Sequence, residues 1–466
     1  MVGKNTTDMM GGGGMMGYPV IVTEGNYTRL LPVANEMGTS GTLTAQNTIA
    51  NIKGSNVNVL GYQANNILGP TMRLNSGSTG SFNLQNKLSA STNIHWHGLK
   101  VPANMDGYPD DVANANGSFN YQFTVNQRAG LYWYHPHTDS GAGKQVFQGL
   151  AGLFIVNDAE EAALNLPNGI NEIPLVIQDK RISSSAITYA PSMMDVMTGY
   201  MGDSVIVNGV WSPYKEVPTR YYRVRILNGS NARIYNLALS NNADMVIIGN
   251  DAGLLKNPST VKSVLLAPGE RLDVLVNFSG LSAGTELYLE NRVFAGAGSS
   301  QGKQAFRIMK FKVTTVVADT FSVPATLSKI TTLNAASSVA TRNFDISNSG
   351  MMGGMQHTIN GKVFSASRID ETVKANTNEI WVFDNTKGSE PHPMHIHGVQ
   401  FQILERTGGS NGLIASEAGW KDTMLVLPKE KVKVIIPFGN ITGKFVFHCH
   451  NLEHEDDGMM LQYQLR

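Results

Sequence analysis

Short runs in which apolar and polar residues alternate recur along this chain. Tyr222, Val224 and Ile226 alternate with Arg223 and Arg225, and the same period of two runs through Leu272-Asp273-Val274 and Lys431-Val432-Lys433-Val434. Such alternation puts successive side chains on opposite faces of a strand. Continuous apolar runs such as Ile380-Trp381-Val382-Phe383 predict strands buried on both faces, and Gly, Asn, Pro and Ser punctuate the gaps. Helical signals are few. Asp158 to Leu164 predicts one short helix, placed where a first domain would close. The pattern therefore predicts an all-β chain built of β-sandwiches.

The chain has 466 residues, and about 150 residues per domain predicts three domains. Their expected spans are 17–158, 159–316 and 317–466. Residues 1–16 form a Met/Gly-rich tail with too little apolar surface to pack, and disorder is expected there. Lys+Arg and Asp+Glu number 36 each. With zero formal charge and no basic run, a nucleic-acid partner is excluded. No apolar run approaches the ~20 residues needed for a membrane span. The single cysteine rules out an intrachain disulfide. No signal peptide is visible, so the chain is either cytosolic or has lost a leader, and the second option suits the chemistry below better.

That chemistry lies in the histidines. Ten of the eleven fall in four clusters: His95-Trp96-His97, His135-Pro136-His137, His392-Pro393-Met394-His395-Ile396-His397 and His448-Cys449-His450 with His454. Every cluster holds a His-x-His triplet, which on a strand sends two imidazoles to one face. Two triplets come from each end of the chain, so eight imidazoles (His95, His97, His135, His137, His395, His397, His448 and His450) line one interface if the first and third domains meet. Eight is too many for one ion and suits a cluster of metals. Cys449 should project the other way, toward Phe445 and Phe447. With His392, His454 and Met459 it makes a trigonal His₂Cys site with a weak axial methionine, the blue-copper recipe. Met460 is an equally available methionine on residue type alone. The middle domain carries no cluster, which suggests a spacer or substrate-side role. His357 lies outside all four clusters.

Together the clusters resemble the copper signatures of the multicopper oxidases. His95-Trp96-His97-Gly98-Leu99, Trp133-Tyr134-His135-Pro136-His137, His392 to Gly398 and His448 to Met460 carry the likeness, and the match spans nearly the whole chain. Arg225 to Gly229, Asp195 to Thr198 and Ala418 to Thr423 look like the bacterial copper-efflux oxidases and laccases in particular. The resemblance implies three consecutive cupredoxin-like Greek-key β-sandwich domains and four copper ions, one type 1, one type 2 and two type 3. It assigns His95 and His395 to type 2. His97, His135 and His450 would hold one type 3 ion, and His137, His397 and His448 the other. His392, Cys449, His454 and Met459 would form type 1, with Met459 preferred over Met460 as the axial group.

The same resemblance implies dioxygen as one partner and a small phenolic, aromatic amine or metal-ion reductant such as Cu(I) or Fe(II) as the other. It further implies a monomer in a periplasmic or otherwise extracytoplasmic setting. Making water consumes protons, and Asp106 and Glu455 match acidic residues of the family beside the cluster, fit to donate protons. Copper-efflux members carry a long Met- and His-rich insert where this chain has only Met351 to His357, which implies a more open type 1 site. Soft thioethers that could collect Cu(I) are Met9, Met10, Met15, Met16, Met351, Met352, Met355 and the stripe Met193, Met194, Met197, Met201. Glu390 beside His392 is expected to be a solvated loop charge, with substrate binding as the second reading. The alternative to an oxidase is a non-catalytic copper-binding or structural cupredoxin protein.

Overall fold

In the computed structural model, residues 20–298, 300–349, 356–409 and 415–466 are described. The expected tail and the methionines at 9, 10, 15, 16, 351, 352 and 355 lie outside them. The described chain is mostly strand, and its sheets form three successive pairs. The first sandwich combines a five-stranded and a four-stranded sheet, the middle one a six- and a seven-stranded sheet, and the third two five-stranded sheets. Each has its own apolar core. Leu43 to Val156 supply the first, Leu166 to Leu327 most of the middle one and Phe344 to Leu465 the third. A further cluster, including Leu131, Trp133, Leu153, Val176, Ile206 and Leu227, welds the first sandwich to the middle one.

One segment departs from the expected division. Arg29–Leu30 pairs in parallel with Pro213 and Tyr214 of the middle sandwich, and Val22 and Leu31 enter the middle core. Residues 22–31 thus pack with the middle domain although sequence order placed them in the first. The unpaired edge of the middle sheet offers them a ladder of hydrogen bonds.

Eight elements position the site. They are β1 (His95–His97), β2 (Gly130–His135), α1 (Ala142–Gln148), α2 (Met193–Thr198), β3 (His392–Ile396), β4 (Thr423–Val426), β5 (Gly443–Cys449) and α3 (Leu452–Asp456). Strands β1 and β2 are antiparallel neighbours, with His95 opposite His135. Strand β3 lies between β4 and β5, with His395 opposite both Thr423 and His448. Register therefore places ligand-type residues side by side before any metal is considered. Trp96 explains why β1 sits as it does. Its indole is fully buried among Phe82, Tyr121, Phe123 and Phe154, so His95 and His97 must face the other way.

The alternating charges of Tyr222 to Ile226 do not face solvent. Arg223 and Arg225 are buried at 3% and 0% exposure against the short helix that ends the first domain. Both donate to Glu161 Oε1, at 2.6 and 2.7 Å, and Arg223 also reaches Asp273 at 2.9 Å. Burial by itself would raise the Glu161 pKa, but Arg225 and Arg223 outweigh it and hold the carboxyl at about 2. A depressed carboxyl contributes stability above its unfolded value of 4.5 and loses that contribution as pH falls toward 2. Removing one partner from a buried ion pair costs about 3 kcal/mol. Glu161→Gln is therefore expected to destabilise the joint between the first two domains by about that amount at pH 7. The deficit should shrink below pH 4.5, and chemical denaturation at pH 7 and pH 3 measures it.

Candidate metal centre

The four triplets converge at the meeting of the first and third domains, and all eight of their histidines are buried. A neutral imidazole has one N–H and one lone pair, and the neighbours of most of these rings decide which nitrogen carries which. His95 Nδ1 donates to the Asp106 carbonyl at 2.7 Å, His395 Nδ1 to the Asp422 carbonyl at 2.9 Å and His135 Nδ1 to the Pro136 carbonyl at 2.9 Å. His448 Nδ1 donates to the Cys449 carbonyl at 3.1 Å and His397 Nδ1 to Asp106 Oδ2 at 2.7 Å. The Nε2 lone pairs of these five rings then face inward. His97 is reversed: its Nε2 donates to Asp422 Oδ1 at 3.1 Å, and its Nδ1 turns to His135 Nε2 at 3.4 Å.

The inward nitrogens come very close. His95 and His395 meet at 3.3 Å, His137 and His448 at 3.2 Å, and His397 and His448 at 3.1 Å. His137, His397 and His448 form one tight triplet of ligand atoms. The rings expected to form the other are looser. His450 stands 4.9 and 5.3 Å from His97 and His135 between ring centroids, and the tight triplet there is His95, His97 and His135. Burial, the largest cause at each ring, pushes His95, His97, His395, His397 and His450 well below the usual histidine value and takes His135 to about 3 and His137 to about 4. These seven rings are neutral at physiological pH and their lone pairs are free to bind a cation.

On the other side of β5 the side chains diverge as expected. Cys449 shares the third core with Phe445, Phe447 and Met459. Its Sγ is 3.5 Å from Nδ1 of both His392 and His454, and those two nitrogens are 3.3 Å apart. The Met459 carbonyl accepts the Cys449 N–H at 3.1 Å. Met460 turns to Tyr108 and Val446 instead, so Met459 is the methionine on the cysteine side.

Asp106 and Glu455 both reach the eight-ring cluster. Asp106 holds His397, while its Oδ1 is buried without a hydrogen bond. Glu455 lies 3.5 Å from His137 Nε2 and 3.0 Å from His448 Nδ1, but that N–H is spent on the Cys449 carbonyl and Oε2 stays unfilled. Burial and then Asp111 push the Asp106 carboxyl well above the usual carboxylate range. Burial pushes Glu455 up as well, but the His448 and His137 rings, once protonated, pull it down to about 2. The two carboxyls beside one cluster are thus shifted in opposite directions.

Several site residues escaped the sequence reading. Asp422 orients His97 and, through its carbonyl, His395, and it is gripped by Arg271 of the middle domain at 2.7 and 2.5 Å. Arg271 also donates to the Leu131 carbonyl of the first domain at 3.0 Å, so one guanidinium ties three domains together. Gly98, at φ +87°, lets this pair approach: a Cβ there would lie 2.5 Å from Asp422 Oδ2. The middle domain is therefore more than a spacer. The segment Ala418 to Thr423 gave a signal as a family likeness only, and Arg271 gave none beyond strand alternation.

Glu390 is not a solvated loop charge. It is 8% exposed, its Oε2 has no hydrogen bond, and burial raises its pKa to about 7. The more open type 1 site implied by the short insert is not what the described residues form. His454 is fully buried behind the Met197 carbonyl of α2. Met197 and Met201 are buried filler and Met193 is exposed, so the stripe is not one thioether face. Trp133 packs with its ring 4.1 Å from His135.

The donor set fits copper. His450 has neither ring nitrogen hydrogen-bonded although both are buried, and leaving such a group unpaired costs about 1–3 kcal/mol. Burial also pushes the Cys449 thiol up, so as a thiolate it needs a cation beside it. Imidazole clusters and a His₂Cys site are what copper selects.

Three family models described as multicopper oxidase match residues 44–161, 191–296 and 323–466. The multicopper oxidase mco of Staphylococcus haemolyticus is 35% identical over 88% of this chain and 84% of its own length. Cell division protein FtsP of Escherichia coli is 31% identical over 85% of this chain and 83% of its own. The solved laccase-like multi-copper oxidase CueO of Ochrobactrum sp. superposes with a TM-score of 0.85 at 32% identity, covering 94% of this chain and all of that one. The histidine clusters match the type 1, type 2 and type 3 copper sites of multicopper oxidases, and the chain belongs to the multicopper oxidase family.

Proposed function

We propose that this protein couples one-electron oxidation of a small reductant to the four-electron reduction of dioxygen to water. Copper bound at the His₂Cys site and among the eight imidazoles would supply one-electron redox chemistry and a place for dioxygen reduction. One observation carries the reading: Cys449 faces His392 and His454, while the flanking His448 and His450 face the cluster. Two peptide bonds thus join the two centres by the shortest covalent path a chain can offer.

In this reading His95 and His395 hold the type 2 ion. His97, His135 and His450 hold one type 3 ion, and His137, His397 and His448 the other. His392, Cys449 and His454 would hold the type 1 ion, with Met459 as the methionine beside them. Asp106 supplies protons from one side of the cluster and Glu455 relays them from the other, each through its unfilled oxygen. Asp422 and Arg271 fix the His97 tautomer, which is what turns its Nδ1 inward. Phenols, aromatic amines and low-valent metal ions are the proposed reductants. A phenolic class is supported by the oxidase activity toward lignin model compounds stated for the Ochrobactrum relative. The buried, unpartnered Glu390 next to His392 offers a phenol hydroxyl or a metal cation an acceptor.

The FtsP relative favours a second reading, a structural protein on the same fold. Oxygen uptake by the copper-loaded protein separates the two. Dimethoxyphenol and Cu(I) are each expected to drive uptake, and none with either would leave the structural reading standing. Cys449→Ser is expected to abolish the blue absorption and phenol oxidation with the fold intact by circular dichroism. Phenol oxidation retained in that variant would overturn the wiring. Asp106→Asn is expected to slow turnover by about 10²-fold, the low end for a positioned proton donor, with the blue band unchanged. Equal oxygen consumption in mutant and parent would remove Asp106 from the proton path.

A further inference from the structure

His357, the histidine outside the four clusters, is drawn into the type 1 site by the fold. It lies in strand Gln356–Ile359 of the third domain and is fully buried. Its ring lies against that of His454, with centroids 3.7 Å apart and planes at 30°, and it is 5.3 Å from His392. Ligand-type atoms of His357, His392 and His454 all fall within 4.8 Å of one another.

The two adjacent rings share one acceptor. His454 Nδ1 faces Cys449, so its proton sits on Nε2, 3.1 Å from the Met197 carbonyl. Asn451 Nδ2, 3.2 Å from the same nitrogen, is a donor and cannot take that proton. His357 Nε2 lies 3.1 Å from the same Met197 carbonyl and donates to it too, while its Nδ1 has no partner. The carbonyl belongs to α2, which is fixed at its start by a capping box between Ser192 and Asp195 and by Arg181 on Asp195.

We propose that His357 is a positioning residue that sets the reduction potential of the type 1 site, by competing with His454 for the Met197 carbonyl. The inference rests on the copper reading above. A hydrogen bond from the far nitrogen of a ligand imidazole makes that imidazole more electron-rich, and an electron-rich ligand favours the oxidised ion. A second donor on the same carbonyl weakens the first bond, because each draws on the same oxygen charge. His357 thereby leaves His454 a poorer donor and holds the potential up.

The test is a redox titration of the blue band in the copper-loaded full chain. His357→Phe keeps a ring against His454 and removes the N–H. Its potential is expected to fall, with the band retained, and kcat for a weakly reducing phenol is expected to drop several-fold at unchanged KM. His357→Gln, whose amide N–H can reach the carbonyl, is expected to restore the parental potential. A parental potential in His357→Phe, or equal shifts in both variants, overturns the inference. So does loss of copper from both, since the ring would then be a packing element. Failure of the copper reading itself would show differently, as absence of the blue band in the parent.

Discussion

A buried imidazole has one proton and one lone pair to place, and this structure depends on how it places them. Carbonyls of Asp106, Pro136, Asp422 and Cys449 and carboxylates of Asp106 and Asp422 take the protons of six rings. Their lone pairs consequently meet in the space between the first and third sandwiches. Burial disfavours a charged imidazolium in such a place, because it would have neither water nor enough counter-charge. A site of this kind cannot be assembled by histidines alone. It needs rigid acceptors around its outside, and most of those are backbone oxygens held in place by sheet register.

Strand alternation is used twice to the same end. In β1 it buries Trp96 in the first core and turns His95 and His97 to the interface. In β5 it buries Cys449 in the third core and turns His448 toward the cluster. The apolar partner in each triplet anchors the strand, so the polar pair cannot rotate away without exposing a large buried side chain. At Cys449 the anchor is itself a ligand-type group, so one residue serves both the core and the His392–His454 pair.

The middle domain shows how a domain with no ligands can still decide a metal site. Arg271 holds Asp422, and Gly269 passes so close to His450 that a Cβ would lie 3.0 Å from the ring. Glu453 of α3 accepts from Tyr200, Asn231 and Tyr189 of the middle domain, while Asp456 of the same helix accepts from the first turn of α1. His454 and Glu455 lie between those two acids, so the helix that carries them is fixed from two domains at once. Type 1 and cluster geometry are therefore properties of the three-domain assembly.

Period-two patterning, four His-x-His triplets and one cysteine were enough to foretell the sandwiches and the two-sided use of β5. These are local consequences of backbone geometry, which any strand obeys wherever it lies. The burial of Arg223 and Arg225, the bond from Arg271 to Asp422, the removal of Glu390 from solvent and the pairing of His357 with His454 were not legible. Each joins residues far apart in the chain, and a charged or lone polar residue reads alike whether it meets water or a distant partner. Only the packed domains settle which it meets, because desolvation, absent from a linear pattern, is what gives those contacts their strength.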